Sequence, residues 1–234
     1  DMRRFSDLCV EMSNNKININ YQVKEITKPV TSISYDEENG YYVDPKDVYN
    51  IINEDVKNNE YDHIFVVVKL GDLNTNKTTK DWIGLGSMDY LGIGFSNIRV
   101  PSEDYSYNYE YNPSINTFPE EVFLHEFLHT LERNAEEYGY DYIALHDHEK
   151  YGYKRDRLDS LRLWYDDYMN KQIETEKGKI GLDSRAYKTK PVHESNFEYS
   201  TQLDELSEPN NVIEEFIIVF NRIKDIISGK EVIN

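Results

Sequence analysis

Residues 117–131 read TFPEEVFLHEFLHTL, and they leave the backbone little choice. Thr117 followed three residues later by Glu120 matches a capping box, with Pro119 early in the first turn. Val122, Phe123, Leu124, Phe127, Leu128 and Leu131 recur over the next turns, which predicts a buried helix ending near Gly139. Two of the chain's six histidines, His125 and His129, stand in this helix. A helix advances about 100° per residue, so positions four apart share a face. Two neutral imidazoles stacked that way can grip one metal ion. Glu126, beside the first, is placed to act as general base toward water on that ion without ligating it. H-E-x-x-H arises by chance in roughly one chain in a hundred of ordinary composition. The plainer alternative is two histidines on a solvated or core face.

A catalytic zinc takes three protein ligands and keeps one position open. Four of the six histidines lie between 125 and 148, namely His125, His129, His146 and His148, so a third ligand is expected beyond Gly139. His146 is the first choice, because Ile143, Ala144 and Leu145 place it at a buried edge and Asp147 stands beside it as an orienting carboxylate. Glu149, at a distance that suits a glutamate ligand, and His148 compete with it. Tyr151 or Tyr153 is a candidate donor to a developing oxyanion, although in a chain with 20 tyrosines each is more simply a packing residue.

The rest of the chain predicts an α+β fold in one domain, 1–234, sheet-rich over 17–100 and helical over 117–228. Residues 17–27 alternate as a strand, and a loop holds Asn39 and Gly40. Asp44-Pro45 opens a helix with Val48, Ile51, Ile52 and Val56 at helical spacing. Residues 61–70 are a β-branched run that suits a central strand. Residues 82–98, rich in glycine and aromatics, suggest bulged extended chain or two short strands. Loops are expected over 101–116 and 178–200, and an irregular segment over 140–153. Two further helices are expected. One covers roughly 156–174, with Leu158, Leu161, Trp164, Tyr165 and Met169 inward; the other covers about 210–228, with Val212, Ile213, Phe216, Ile217, Phe220, Ile223 and Ile227 inward.

Composition narrows the partners. A formal charge of −18 repels phosphate backbones and anionic membranes, so nucleic acid is not an expected partner. No run approaches the roughly 18 apolar residues of a membrane helix, so membrane insertion is not expected. Cys9 is the sole cysteine, which excludes an intrachain disulfide and a thiolate zinc site.

With HEFLH at 125–129 on a helix, and strand, helix and strands upstream, the chain resembles the zincin metallopeptidases. The resemblance implies a zincin-like α+β fold: an N-terminal mixed twisted sheet with a helix, an active-site helix, and a mostly helical C-terminal part. It implies Zn2+ as cofactor and a peptide or protein as substrate, hydrolysed by metal-activated water with Glu126 as base. It also implies that the glycine-rich stretch before the active helix is a sheet edge that pairs with extended peptide. The wider text HEFLHTLERNAEEYGYDYIALHDHEKYGY is similar to uncharacterised secreted or cell-surface zincin-like proteins of clostridial and gut bacteria, which implies that location and membership of a larger multidomain surface protein. His148 before Tyr151-Gly152 resembles the D-x-x-Y-G of aspartate-type zinc peptidases, with His in place of Asp. The metzincin pattern fails, because Glu132 and Ala135 occupy its glycine and last histidine positions, so the helix is expected to continue. The alternative function is a non-catalytic binding or adhesion module of zincin fold, with the Tyr and Asn of 105–116 lining its face. Zinc hydrolysis of a bond other than a peptide is a third.

Overall fold

The computed structural model describes residues 2–26, 33–58, 61–69, 82–90, 92–100, 118–154, 158–188 and 216–225. The architecture is α+β. The chain packs as two compact units, one from Asp1–Tyr21, Asn108–Lys190 and Arg222–Asn234, the other from Gln22–Tyr107 and Pro191–Asn221. No described helix is long and apolar enough to cross a membrane.

The second unit is built around a sheet. Strands β1 (Ile17–Ile26), β4 (His63–Lys69), β5 (Gly84–Tyr90), β6 (Ile93–Val100) and β9 (Phe216–Asp225) follow the order β1-β9-β4-β6-β5. As its β-branched run predicts, β4 is interior; it pairs parallel with β6 and antiparallel with β9. The glycine-rich stretch resolves into two antiparallel strands, with β5 at the sheet edge, β6 inside it, and a register shift between Leu85 and Met88. A hairpin of β2 (Ser34–Asp36) and β3 (Gly40–Tyr42) turns over residues 37–39, and Gly40, which closes it opposite Asp36, takes φ +72°. Helix α2 (Pro45–Asn58) starts where Asp44-Pro45 predicts, with Asp44 Oδ1 accepting the Lys46 N–H. Val48 and Ile52 of α2 join Val43, Ile64, Val66, Val68, Tyr90 and Phe95 in one apolar core.

The first unit is mainly helical. Helix α1 (Met2–Met12), not anticipated from the sequence, buries Met2, Phe5, Leu8, Cys9 and Met12. Phe5 meets Phe123 and Phe127 of α3 (Pro119–Glu137), each at 5.9 Å between ring centroids. Helix α4 (Leu158–Asn170) is shorter than expected, because Lys171 leaves the helical region at φ +55°. Its Leu161, Trp164, Tyr165 and Met169 are buried as predicted; the Leu158 side chain lies outside the described set.

Further expectations need correction. The predicted helix over 210–228 is the strand β9, for the part described. Its helical spacing is shared by a run of Phe, Ile and Val, and such residues favour a pleated strand when a partner strand is at hand. The expected loop from 178 contains β8 (Gly178–Ile180), which pairs antiparallel with β7 (Ile173–Thr175), and a 3-10 turn at Ser184–Tyr187. The segment expected to be irregular over 140–153 holds a 3-10 helix, Leu145–Tyr151. The loop expected over 101–116, with the Tyr and Asn of 105–116, lies outside the described residues, as do 189–200.

Candidate metal centre

Helix α3 carries the first two candidate ligands. It begins one residue later than the capping box predicts: Pro119 is the first helical residue and Phe118 the N-cap. The reaching carboxylate is therefore Glu121, not Glu120, and it accepts the Phe118 N–H at 2.9 Å. The apolar residues flanking the histidines are buried, with Leu124, Phe127, Leu128 and Leu131 at 0% exposure, so the helix is fixed in rotation. His125 and His129 are half-buried on one face, their ring centroids 4.8 Å apart. The helix continues past Glu132 and stops at Gly139, whose φ of +65° suits a residue without Cβ.

After that stop the chain returns over α3 and brings His146 to the pair. Its ring stacks on that of His125 at 5.0 Å and meets that of His129 edge-on at 4.9 Å. The Nε2 atoms of His125 and His146 are 2.9 Å apart. Among the described residues, His125, His129 and His146 form a group whose possible ligand atoms all lie within 4.8 Å of one another. Tetrahedral zinc, with nitrogens at about 2.0–2.1 Å, spaces those nitrogens about 3.3 Å apart. The triad brackets that spacing, so the donor set fits a metal of this kind. All-imidazole donors suit zinc, copper, nickel or iron and suit magnesium and calcium poorly. His146 is exposed and the other two half-buried, so the cluster faces solvent, as an open coordination position requires.

The surroundings select which ring nitrogens face the centre. Glu132 Oε2 lies 3.0 Å from His129 Nδ1, so Nδ1–H can donate to the carboxylate and Nε2 is left as the acceptor. The hydroxyl of Tyr165, on α4, lies 3.3 Å from His125 Nδ1. The segment bearing His146 is held by its backbone. Leu145 N–H donates to Glu132 Oε1 at 3.0 Å, Trp164 Nε1–H donates to the Leu145 carbonyl at 3.1 Å, and Tyr168 donates to the Ile143 carbonyl at 3.1 Å.

Glu126 is buried, at 5% exposure. Burial raises its carboxyl from the ordinary 4.5 to about 7, against a smaller opposite pull from His129. Its carboxylate makes no hydrogen bond or ion pair to any described group. A buried carboxyl raised in this way can exchange a proton near neutral pH.

The other candidates stand apart. Glu149 is exposed, and its carbonyl accepts the Gly152 N–H that closes the 3-10 helix. The His148 ring packs at 6.2 Å from that of Trp164. Asp147, expected to orient His146, is paired with Lys150 at 2.9 Å. Tyr151 stacks on Trp164 at 6.2 Å, and the Tyr153 hydroxyl donates to Asp167 at 2.6 Å. Burial and that bond hold the Tyr153 phenol well above its usual range. Sequence reasoning missed Glu132 and Tyr165. For Glu132 a signal existed, because a carboxylate three residues beyond a helical histidine lies over it. Tyr165 was read only as a packing residue, and its approach to His125 depends on the packing of α4.

Compared with known proteins, the chain matches no family model, no curated protein and no solved structure.

Proposed function

We propose that the chain is a zinc-dependent endopeptidase. The observation that supports this reading is the convergence of His125, His129 and His146, with ligand atoms within 4.8 Å, on the helix that carries buried Glu126. The donor set admits several transition metals, and the likeness of HEFLH to the zincins selects zinc. Zinc bound there would supply Lewis acidity, polarising a carbonyl oxygen and bringing the pKa of water toward about 7.

The chain's own residues have distinct tasks in this reading. His125, His129 and His146 bind, each as a neutral imidazole. Tyr165 and Glu132 orient His125 and His129 through their Nδ1 atoms. Glu126 takes a proton from the attacking water and later delivers it to the departing amine. Burial raises its carboxyl toward neutral pH in the metal-free chain, and a nearby cation would favour the basic form that accepts the proton. The substrate is a peptide or protein. Placement outside the cell, within a larger surface protein, belongs to the same proposal and rests on the resemblance alone.

The test is metal analysis together with digestion of a peptide library. One zinc per chain with cleavage, retained zinc without cleavage in Glu126→Gln, and no zinc in His129→Ala are expected. Wild-type cleavage by Glu126→Gln, or a purified chain that takes up no zinc, would overturn the reading.

A further inference from the structure

We infer that Glu132 is a positioning residue that couples the two parts of the centre, setting His129 with one carboxylate oxygen and anchoring the turn that carries His146 with the other. The inference rests on the zinc-site reading above and extends it to a residue outside the H-E-x-x-H motif.

The geometry is a fork. Glu132 lies one turn beyond His129 on α3, and its Oε2 is 3.0 Å from His129 Nδ1. Its Oε1 accepts the N–H of Leu145, the residue just before His146, also at 3.0 Å. The side chain is shielded, at 18% exposure, so water competes weakly for either oxygen. Both partners are donors, and a carboxylate serves two donors with two oxygens, whereas an amide offers one oxygen and an NH2 that would face an N–H. On the His129 side, the bond fixes the tautomer that leaves Nε2 free, and it fixes the ring rotation. On the Leu145 side, it closes a connection across thirteen residues that contains the end of α3 and the chain reversal. The Leu145 carbonyl accepts from Trp164, so the peptide groups on both sides of Leu145 are held, the second of them leading into His146. One carboxylate thus sets the second ligand and recruits the third, and the two should bind metal cooperatively through it.

The experiment uses the full chain and zinc alone. Affinity is measured by competition with a zinc indicator for wild type, Glu132→Ala, Glu132→Gln and Glu11→Ala, the last an exposed residue of α1. In parallel, imidazole nitrogen NMR of the metal-free proteins reads the His129 tautomer. Partners of ligating histidines typically contribute 10–100-fold in metal affinity. Glu132→Ala should lose about that factor and convert His129 from one tautomer to a mixture. Glu132→Gln, nearly isosteric, should fall between it and wild type, and it carries the test if the alanine variant does not fold. Glu11→Ala should match wild type. In a His146→Ala background the effect of Glu132→Ala should shrink, because one of its two routes is gone. Zinc affinity within twofold of wild type in Glu132→Gln, with the His129 signature unchanged, would overturn the role of Glu132 and leave the zinc site intact. A wild type that binds no zinc would instead remove the site, and this role with it.

Discussion

His63 and the triad are the same residue type in two environments. His63 opens β4, is fully buried, and packs its ring 4.2 Å from that of Phe65, two residues on along the same face. His125 and His129 are also flanked by apolar sequence, yet they are half-buried and meet a third imidazole. Apolar neighbours in sequence therefore do not define a histidine's role. A strand alternates its faces, so one imidazole on a β-branched strand meets aliphatic and aromatic groups. A helix stacks positions four apart, so two imidazoles share a face, and a returning chain can add another.

The contrast is sharpest under substitution to alanine. His129→Ala should abolish zinc uptake, whereas His63→Ala should keep one zinc per chain and lower stability by about 1–3 kcal/mol through a buried cavity. Metal analysis and denaturant melts of both variants measure this. Zinc loss in His63→Ala with the fold intact would break the comparison.

Next in size is the proposed role of Glu126 as base. Glu126→Gln should lower turnover by about 10²–10⁴-fold while zinc content holds, as peptide hydrolysis assays will read. The metal-free protein should also reveal Glu126 through its pH profile. The folded carboxyl titrates at about 7 and the unfolded one near 4.5, so the folded state binds more protons between those values. Stability should therefore fall as pH rises from 4.5 to 7, by roughly 3 kcal/mol, and this slope should vanish in Glu126→Gln. Urea melts across that pH range measure it, and a flat wild-type profile would contradict the burial argument.

Smaller effects follow at the margins. Tyr165→Phe removes a hydroxyl 3.3 Å from His125 Nδ1, a long contact, and should weaken zinc binding only a few-fold, less than a typical partner of a ligating histidine. Glu149→Ala, at an exposed position, should change zinc affinity and stability by less than about 0.5 kcal/mol. A clear loss of zinc there would reinstate Glu149 as a ligand.

Local signals made much of the first half legible. Asp44-Pro45 marked the start of α2, and the β-branched run marked β4, because caps and buried strands are specified by residues close in sequence. Helix α1 was open to the same reading, with Met2, Phe5, Leu8, Cys9 and Met12 at helical spacing. The strand β9 was not. Its FIIVF fits either period, and the choice was made by β4, which pairs Phe65 with Val219 and Val67 with Ile217. Short apolar runs are resolved by the partner available, which no window along the chain contains.

At the centre itself, the sequence alone fixed the helix, the shared face of His125 and His129, and the place of Glu126 beside them, because a 3.6-residue period is a local property. It left His146, His148 and Glu149 as rivals. Tertiary structure chose the one that reaches the pair, through hydrogen bonds from Leu145 to Glu132 and from Trp164 to Leu145 that span 13 and 19 residues. Closing such loops takes a packed framework, and that framework decides which side chain the returning turn presents.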